Sequence, residues 1–297
     1  MSDAPAGTPV AMGDGMDAVE WQTRMAGVRA IVRAPEAIRT IQVYGQRCSG
    51  TNALIHLIEG NLPQGTFTEA YGFKHWFVPP QVLFQPSTLI VVIARDAVGW
   101  LQSVHRQPWH LDPAVSQMRF SDFIRMEWAS YWYGDFWGVD QAHPIYATEM
   151  MHERDPQTGA RFANPMRKRT AKLAHWAGLH RRAHNLCLVD QASVQADPEG
   201  VTRALAAMTG LPMGDVFRPV DSYKGRGVKP YQPHVYPPVS TDDLAFIAAN
   251  LDPQVEGLYG LAMPLAAVAE DRGSPVGADT TTRGSGALSV SAMVPDS

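Results

Sequence analysis

Nine consecutive residues, Tyr44-Gly45-Gln46-Arg47-Cys48-Ser49-Gly50-Thr51-Asn52, bring together two glycines, two aliphatic hydroxyls, a thiol and a cation. An apolar strand is expected before them, over residues 41–44. After them Leu54, Leu57 and Ile58 recur at helical spacing and the pattern stops near Gly60-Asn61. A strand, a tight loop and a helix N-terminus make a site for phosphate. Glycine lets the backbone curl, the first-turn N–H groups point outward unpaired, and the helix dipole favours an anion there. Gly45 and Gly50 stand at Walker A spacing, but Thr51 and Asn52 occupy the positions of its Lys and its Ser or Thr. Neither supplies the cation for the β/γ phosphates, and an amide replaces the hydroxyl on magnesium poorly. Phosphate binding is expected here, and NTP-driven phosphoryl transfer is not.

Two further groups fall where strands end. Residues 89–94, Leu-Ile-Val-Val-Ile-Ala, form a continuous apolar run of the kind buried on both faces of a parallel sheet, and Arg95 follows directly. A cation leaving a buried strand is costly without an anionic partner. Ser103 lies eight residues on, nearly two turns into a helix over residues 97–106, where its hydroxyl can face the same pocket as the Arg95 fork. Lys74-His75 closes a second short strand expected over residues 66–76.

The elements that would position these groups alternate. Residues 18–37 carry Trp21, Met25, Val28, Ile31 and Val32 at helical spacing, which predicts a packing helix ending at Pro35. Ser121 is placed to cap a helix over residues 122–137, crowded with Trp128, Tyr131, Trp132, Tyr133, Phe136 and Trp137. Its i,i+4 pairs read as core. Pro165 starts a helix whose Arg167, Lys168, Arg169 and Lys172 read as a solvated face. A strand over 185–189, a helix over 198–208 stopped by Gly210, a basic loop Lys224-Gly225-Arg226-Gly227 and a helix capped by Thr241 complete the order. Strands alternating with helices predict an α/β fold: a mostly parallel central sheet flanked by helices, with ligands beyond the strand carboxyl ends. Residues 19–265 are expected to form this domain, with disordered tails over 1–18 and 266–297.

Composition agrees with a soluble protein. The chain has 297 residues, 45% hydrophobic and 18% charged, with a net charge of −4, so neither nucleic acid nor an anionic membrane is expected as a partner. Two cysteines, Cys48 and Cys187, make no disulfide framework, and no apolar run is long enough to span a membrane. A cytoplasmic location is expected. His180 and His184 are i,i+4 but lack a third ligand, so no metal site is expected. Cys48 at a helix N-terminus could be a reactive thiol.

The 45–52 loop resembles the 5′-phosphosulfate loop of the sulfotransferases that use 3′-phosphoadenosine 5′-phosphosulfate (PAPS). Val91-Val92-Ile93-Ala94-Arg95 with Ser103 resembles their 3′-phosphate motif, with Arg and Ser at the family's eight-residue spacing. Residues 188–211, with Asp197-Pro198, are similar to the strand and helix that usually follow. Leu251-Asp252-Pro253 with Glu256 and Tyr259-Gly260 is similar to the family's closing helix, so the likeness covers about residues 40–262. It implies a P-loop-NTPase-like fold and metal-free, in-line sulfuryl transfer from PAPS to a hydroxyl or amine of a small-molecule or glycan acceptor. Cys48, Ser49, Gly50, Thr51 and Asn52 would grip the 5′-phosphosulfate, and Arg95 and Ser103 the 3′-phosphate. Lys224, Gly225 and Arg226 would cover that phosphate, although the family's order is Arg-Lys-Gly.

Two departures bear on the chemistry. Many members place a cation directly before Ser-Gly-Thr, where this chain has Cys48 and carries Arg47 one residue earlier; either Arg47 or Lys74 would serve the leaving oxygen. Cytosolic members have Lys-x-His after the second strand, and here Lys74 and His75 are adjacent. His75 suits the base for the acceptor hydroxyl. In an extended segment such neighbours point to opposite sides. The alternatives are an ATP-dependent small-molecule kinase of related fold and a nucleotide-binding protein without catalysis.

Overall fold

Residues 88–94 are apolar or β-branched throughout, and they form a strand buried along its whole length near the middle of a six-stranded sheet. The computed structural model describes residues 20–35, 38–133, 139–222, 227 and 229–264. The expected tails over 1–18 and 266–297 lie outside these residues, as do Lys224, Gly225 and Arg226. The strands are β1 (Gln22–Met25), β2 (Val28–Val32), β3 (Thr40–Gly45), β4 (Thr66–Phe67), β5 (Thr88–Ala94) and β6 (Asn185–Asp190). The helices are α1 (Thr51–Asn61), α2 (Ala97–Arg106), α3 (Phe120–Arg125), α4 (Pro165–Ala177), α5 (Gln191–Ala196), α6 (Pro198–Thr209), α7 (Thr241–Asn250) and α8 (Pro253–Leu258).

The sheet order is β1-β2-β6-β5-β3-β4. The pairs β6–β5, β5–β3 and β3–β4 are parallel, while β1–β2 and β2–β6 are antiparallel. Because side chains alternate along a strand, β5 feeds two cores. Leu89, Val91 and Ile93 pack with Leu54, Leu57 and Ile58 of α1 and with Val201, Leu205 and Met208 of α6. Ile90, Val92 and Ala94 pack on the other face with Leu173 and Trp176 of α4 and Val255 of α8. A third cluster joins Trp100 and Leu101 of α2, Phe123 of α3, Met166 of α4 and Ile247 of α7. Among the described residues no helix is long and apolar enough to cross a membrane.

The strand order has a switch point. After β3 the chain adds β4 on one side and then β5 on the other, so the parallel run reverses at β3. Open α/β sheets hold ligands outside the carboxyl ends at such a switch point. Here those ends are Gly45 of β3 and Ala94 of β5.

Four expectations are corrected. The helix expected over 18–37 is the β1–β2 hairpin. Gly27 turns it at φ 74°, and Val28 and Ala30 alternate into the core while β2 pairs with β6. Apolar residues at 25, 28, 31 and 32 follow the helical period, and the pairing of β2 with β6 overrides it. The strand expected over 66–76 is only Thr66–Phe67, followed by turns. The aromatic helix is only Phe120–Arg125, and Arg119, not Ser121, stands at its N-cap position without a side-chain cap; the Ser121 hydroxyl instead donates to Asp243. Beyond it the chain is extended, with Trp128 bridged to Phe162 and Tyr131 to Glu149, the pairing that aromatic residues favour. Phe136 and Trp137 lie outside the described residues. Finally, α7 is capped by Ser240 and not by Thr241.

Candidate functional site

The 45–52 loop leaves β3 and enters α1 at the switch point. Its tightness depends on Gly45, where a Cβ would meet the Ile93 carbonyl oxygen at 2.7 Å and Thr51 Cγ2 at 2.8 Å. Cys48 and Gly50 both take positive φ, 64° and 89°. The Ser49 hydroxyl donates to the Gln46 carbonyl at 2.6 Å, so it braces the loop from within. Trp100 Nε1 donates to the Arg47 carbonyl at 2.8 Å and ties the loop to α2. No side chain caps the N-terminus of α1, and its first turn carries no acidic residue. By contrast α2, α4, α6 and α7 are capped by Asp96, Asn164, Asp197 and Ser240. The first-turn amides of α1, those of Thr51 and Asn52 among them, keep their positive end for another acceptor.

Arg95 and Ser103 come to this loop. The Arg95 Nη1 donates to the Cys48 carbonyl at 3.4 Å, and its Nε lies 3.7 Å from the Asp96 carboxylate, in a side chain that keeps 21% of its surface exposed. Ser103, buried on α2, lies beside the Cys48 thiol, which donates to the Gln107 carbonyl at 3.9 Å. Burial pushes that thiol above its usual value, and Ser103 and the nearby Arg95 charge offset this only in part. The expectation of a reactive Cys48 is therefore corrected, because desolvation of the thiolate outweighs the helix end.

Behind the loop stands α4, and its basic run is not solvated. Only Arg167 is exposed; Lys168, Arg169 and Lys172 are all 1% exposed or less. Arg169 grips Glu256 of α8 through two bonds of 2.7 Å, donates to the Arg95 carbonyl at 2.7 Å and reaches Gln46 Oε1 at 3.3 Å. Lys172 donates to the His75 carbonyl and to Glu153, and Lys168 lies 3.3 Å from Glu153 and over the Trp128 ring. Arg47 is 3% exposed and turns inward, where Nη1 also bonds Glu153. Burial lowers the Lys172 amine to about 8 against the pull of Glu153, and it lowers Lys168 well below its usual value. Burial alone would raise Glu153, yet Arg47, Lys168 and Lys172 hold it well below the usual carboxylate range. Arg47, Lys168, Arg169 and Lys172 face two carboxylates, Glu153 and Glu256.

Lys74 and His75 diverge, although they lie in a turn and not in the extended segment expected. Lys74 Nζ stands 3.8 Å from Glu69. The His75 ring packs under the loop, with Nδ1 2.6 Å from the Gly45 carbonyl. A carbonyl only accepts, so Nδ1 carries the proton and Nε2 holds the lone pair. Burial, then the Arg47 charge, keeps this ring well below the usual histidine value, hence neutral at pH 7. His175, whose Nε2 accepts from the Val78 amide at 2.9 Å, is lowered to about 4 by burial. Below pH 6.5 the unfolded chain binds protons at these two residues that the folded chain refuses, so stability is full above 6.5 and falls as the pH drops. Each histidine contributes up to about 1.4 kcal/mol per pH unit in that window. Tm measured from pH 7 to 5 at constant ionic strength is expected to fall; a flat profile contradicts the neutral, buried rings.

The structure thus brings together Gly45, Arg47, Cys48, Ser49, Gly50, Thr51, Asn52, His75, Arg95 and Ser103, and it turns Lys74 toward Glu69. Sequence reasoning missed Glu153, Lys168, Arg169, Lys172 and Glu256 as parts of the site. The one available signal was a basic run on a helix that also carries Leu173 and Trp176. Searches of protein-family models, curated proteins and solved structures find no match to this chain.

Proposed function

We propose that the protein is a PAPS-dependent sulfotransferase built on a P-loop-NTPase-like fold, acting on a small-molecule or glycan acceptor. The observation that carries this reading is the meeting of Arg95 and Ser103 with the Cys48 turn, beside an uncapped helix N-terminus at the switch point of the sheet. The arrangement offers two anion positions side by side. The α1 amides and the Thr51 hydroxyl suit a 5′-phosphosulfate, and the Arg95 fork with the Ser103 hydroxyl suits a 3′-phosphate. In the reaction the acceptor oxygen bonds to sulfur while the bond from sulfur to the bridging phosphate oxygen breaks. His75 takes the acceptor proton at Nε2, and the charge growing on the leaving oxygen meets the helix N-terminus and a cation. Either Arg47 or Lys74 serves as that cation: Arg47 lies within the loop but turns its guanidinium inward to Glu153, and Lys74 lies 3.8 Å from Glu69. The free thiols of Cys48 and Cys187 fit a reducing, cytoplasmic setting.

A second reading, donor binding without turnover, is favoured by one observation: the Arg47 guanidinium is engaged with Glu153 inside the protein. Thermal unfolding with 3′,5′-ADP (the desulfated donor) or with ATP and magnesium separates the possibilities. A ligand at about 100 times Kd adds roughly 2.7 kcal/mol, and each kcal/mol moves the Tm of a domain this size by about 2–4 °C. A rise with 3′,5′-ADP is expected. A rise with ATP and magnesium alone would overturn the sulfotransferase reading in favour of a kinase. Transfer of labelled sulfate from PAPS, scored over an acceptor panel, then divides enzyme from binder. His75→Ala is expected to slow transfer by about 100- to 10,000-fold, a larger loss than any weakening of the 3′,5′-ADP shift that follows from freeing the Gly45 carbonyl. Binding without transfer to any acceptor supports the second reading.

A further inference from the structure

The contacts around Glu153 close a ring. Glu153 sits on a single 3-10 turn, Met151–Glu153, and is 2% exposed. Its Oε2 takes Arg47 Nη1, the Ser130 hydroxyl at 3.0 Å and Lys168 at 3.3 Å, and its Oε1 takes Lys172. Lys172 donates at the same time to the carbonyl of His75, and the His75 ring is bound to the carbonyl of Gly45 at the start of the loop. The path therefore runs from the loop through Arg47, Glu153, Lys172 and His75 and back to the loop. Each link is directional and buried, so a shift of one member moves the next.

We propose that Glu153 is a positioning residue for this site: its carboxylate fixes the Arg47 side chain and, through Lys172, the backbone of His75, and so sets where the 45–52 loop stands relative to the imidazole. The role deepens the functional reading given above and rests on it. A carboxylate present only to neutralise buried cations would need charge and little geometry. A carboxylate that positions would need its length as well.

Glu153→Asp separates the two, because it keeps the charge and withdraws the oxygens by about 1.5 Å, one C–C bond. Turnover with PAPS is expected to fall about 100-fold, the cost of a displacement on that scale, with Tm close to that of the parent. The Cys48 thiol gives a second readout that needs no nucleotide. It is half-buried in the parent, where burial raises its pKa and holds down the thiolate, and Cys187 is fully buried, so modification by an aromatic disulfide reagent is slow. In Glu153→Asp the Cys48 rate is expected to rise about tenfold through local opening of the loop. Should Glu153→Asp fail to fold, Glu153→Gln combined with Lys168→Met restores the charge balance, and the same rise is expected. Parental turnover and a parental thiol rate in the folded variant overturn the proposal. If the parent protein binds no 3′,5′-ADP, it is the functional reading that fails, and the thiol rates still decide whether Glu153 orders the loop.

Discussion

Arg95→Ala is expected to abolish the stabilisation given by 3′,5′-ADP while leaving the unliganded protein nearly as stable as before. The asymmetry follows from what Arg95 touches. Inside the protein it makes one long bond of 3.4 Å to the Cys48 carbonyl and an ion pair of 3.7 Å to Asp96, a carboxylate 60% exposed. Such contacts are worth about 0–1 kcal/mol. Toward a phosphate the same guanidinium would form a charge-assisted fork. Truncating one partner of such a pair costs about 2–5 kcal/mol, or roughly 30- to 4000-fold in Kd. Arg95→Lys keeps the charge and loses the fork, so an intermediate affinity is expected. Ser103→Ala removes a neutral donor and should cost about 0.5–1.5 kcal/mol. Titration calorimetry on the three variants tests the ranking. Unchanged affinity in Arg95→Ala would place the phosphate elsewhere and sink the proposed donor site.

Arg169→Met is expected to be the most destabilising single change near the site. Arg169 and Glu256 are each 1% exposed in their side chains and joined by two bonds of 2.7 Å. Removing the guanidinium leaves the Glu256 carboxylate buried without a counter-charge, which costs about 3–5 kcal/mol. In a domain this size that is a fall in Tm of roughly 6–20 °C. Replacing both partners, Arg169→Met with Glu256→Leu, should recover much of the loss, because an apolar pair of similar volume needs no desolvation of charge. The double variant should still bind 3′,5′-ADP less tightly than the parent, because the Arg95 carbonyl and the Gln46 amide both lose the group that holds them. A double variant as unstable as the sum of the singles would show that the pair is not energetically coupled.

The part of the fold around the 45–52 loop was legible where a local signal was strong. Residues 88–94 have one reading, a strand buried on both faces, and Asp96, Asp197-Pro198 and Gly210 mark helix ends by their own chemistry. Arg95 and Ser103 were legible together because a helix between fixed ends converts spacing into direction. The hairpin was not, since residues 25, 28, 31 and 32 follow the helical period and the partner that overrides it, β6, lies some 150 residues away in sequence. The inner face of α4 was illegible for the same reason. Lys168, Arg169 and Lys172 read as a wet face until Glu153 and Glu256 arrive from elsewhere in the chain to meet them. Cys48 shows a different limit. The helix end that lowers a thiol pKa is visible in sequence, whereas the burial that reverses it belongs to packing alone.

The antiparallel pairing of β2 with β6 also governs the order in which the protein can be completed during synthesis. Val28 meets Val189, so the first hairpin leaves the ribosome 161 residues before its partner strand. At about 5–20 residues per second the wait is roughly 8–30 s. Through that interval Val28, Ala30 and Ile31, all buried in the finished fold, have no strand to pair with on the β6 side. The nascent chain therefore carries an open, apolar strand edge until β6 emerges, the kind of surface that holding chaperones recognise and that pairs wrongly when left unguarded.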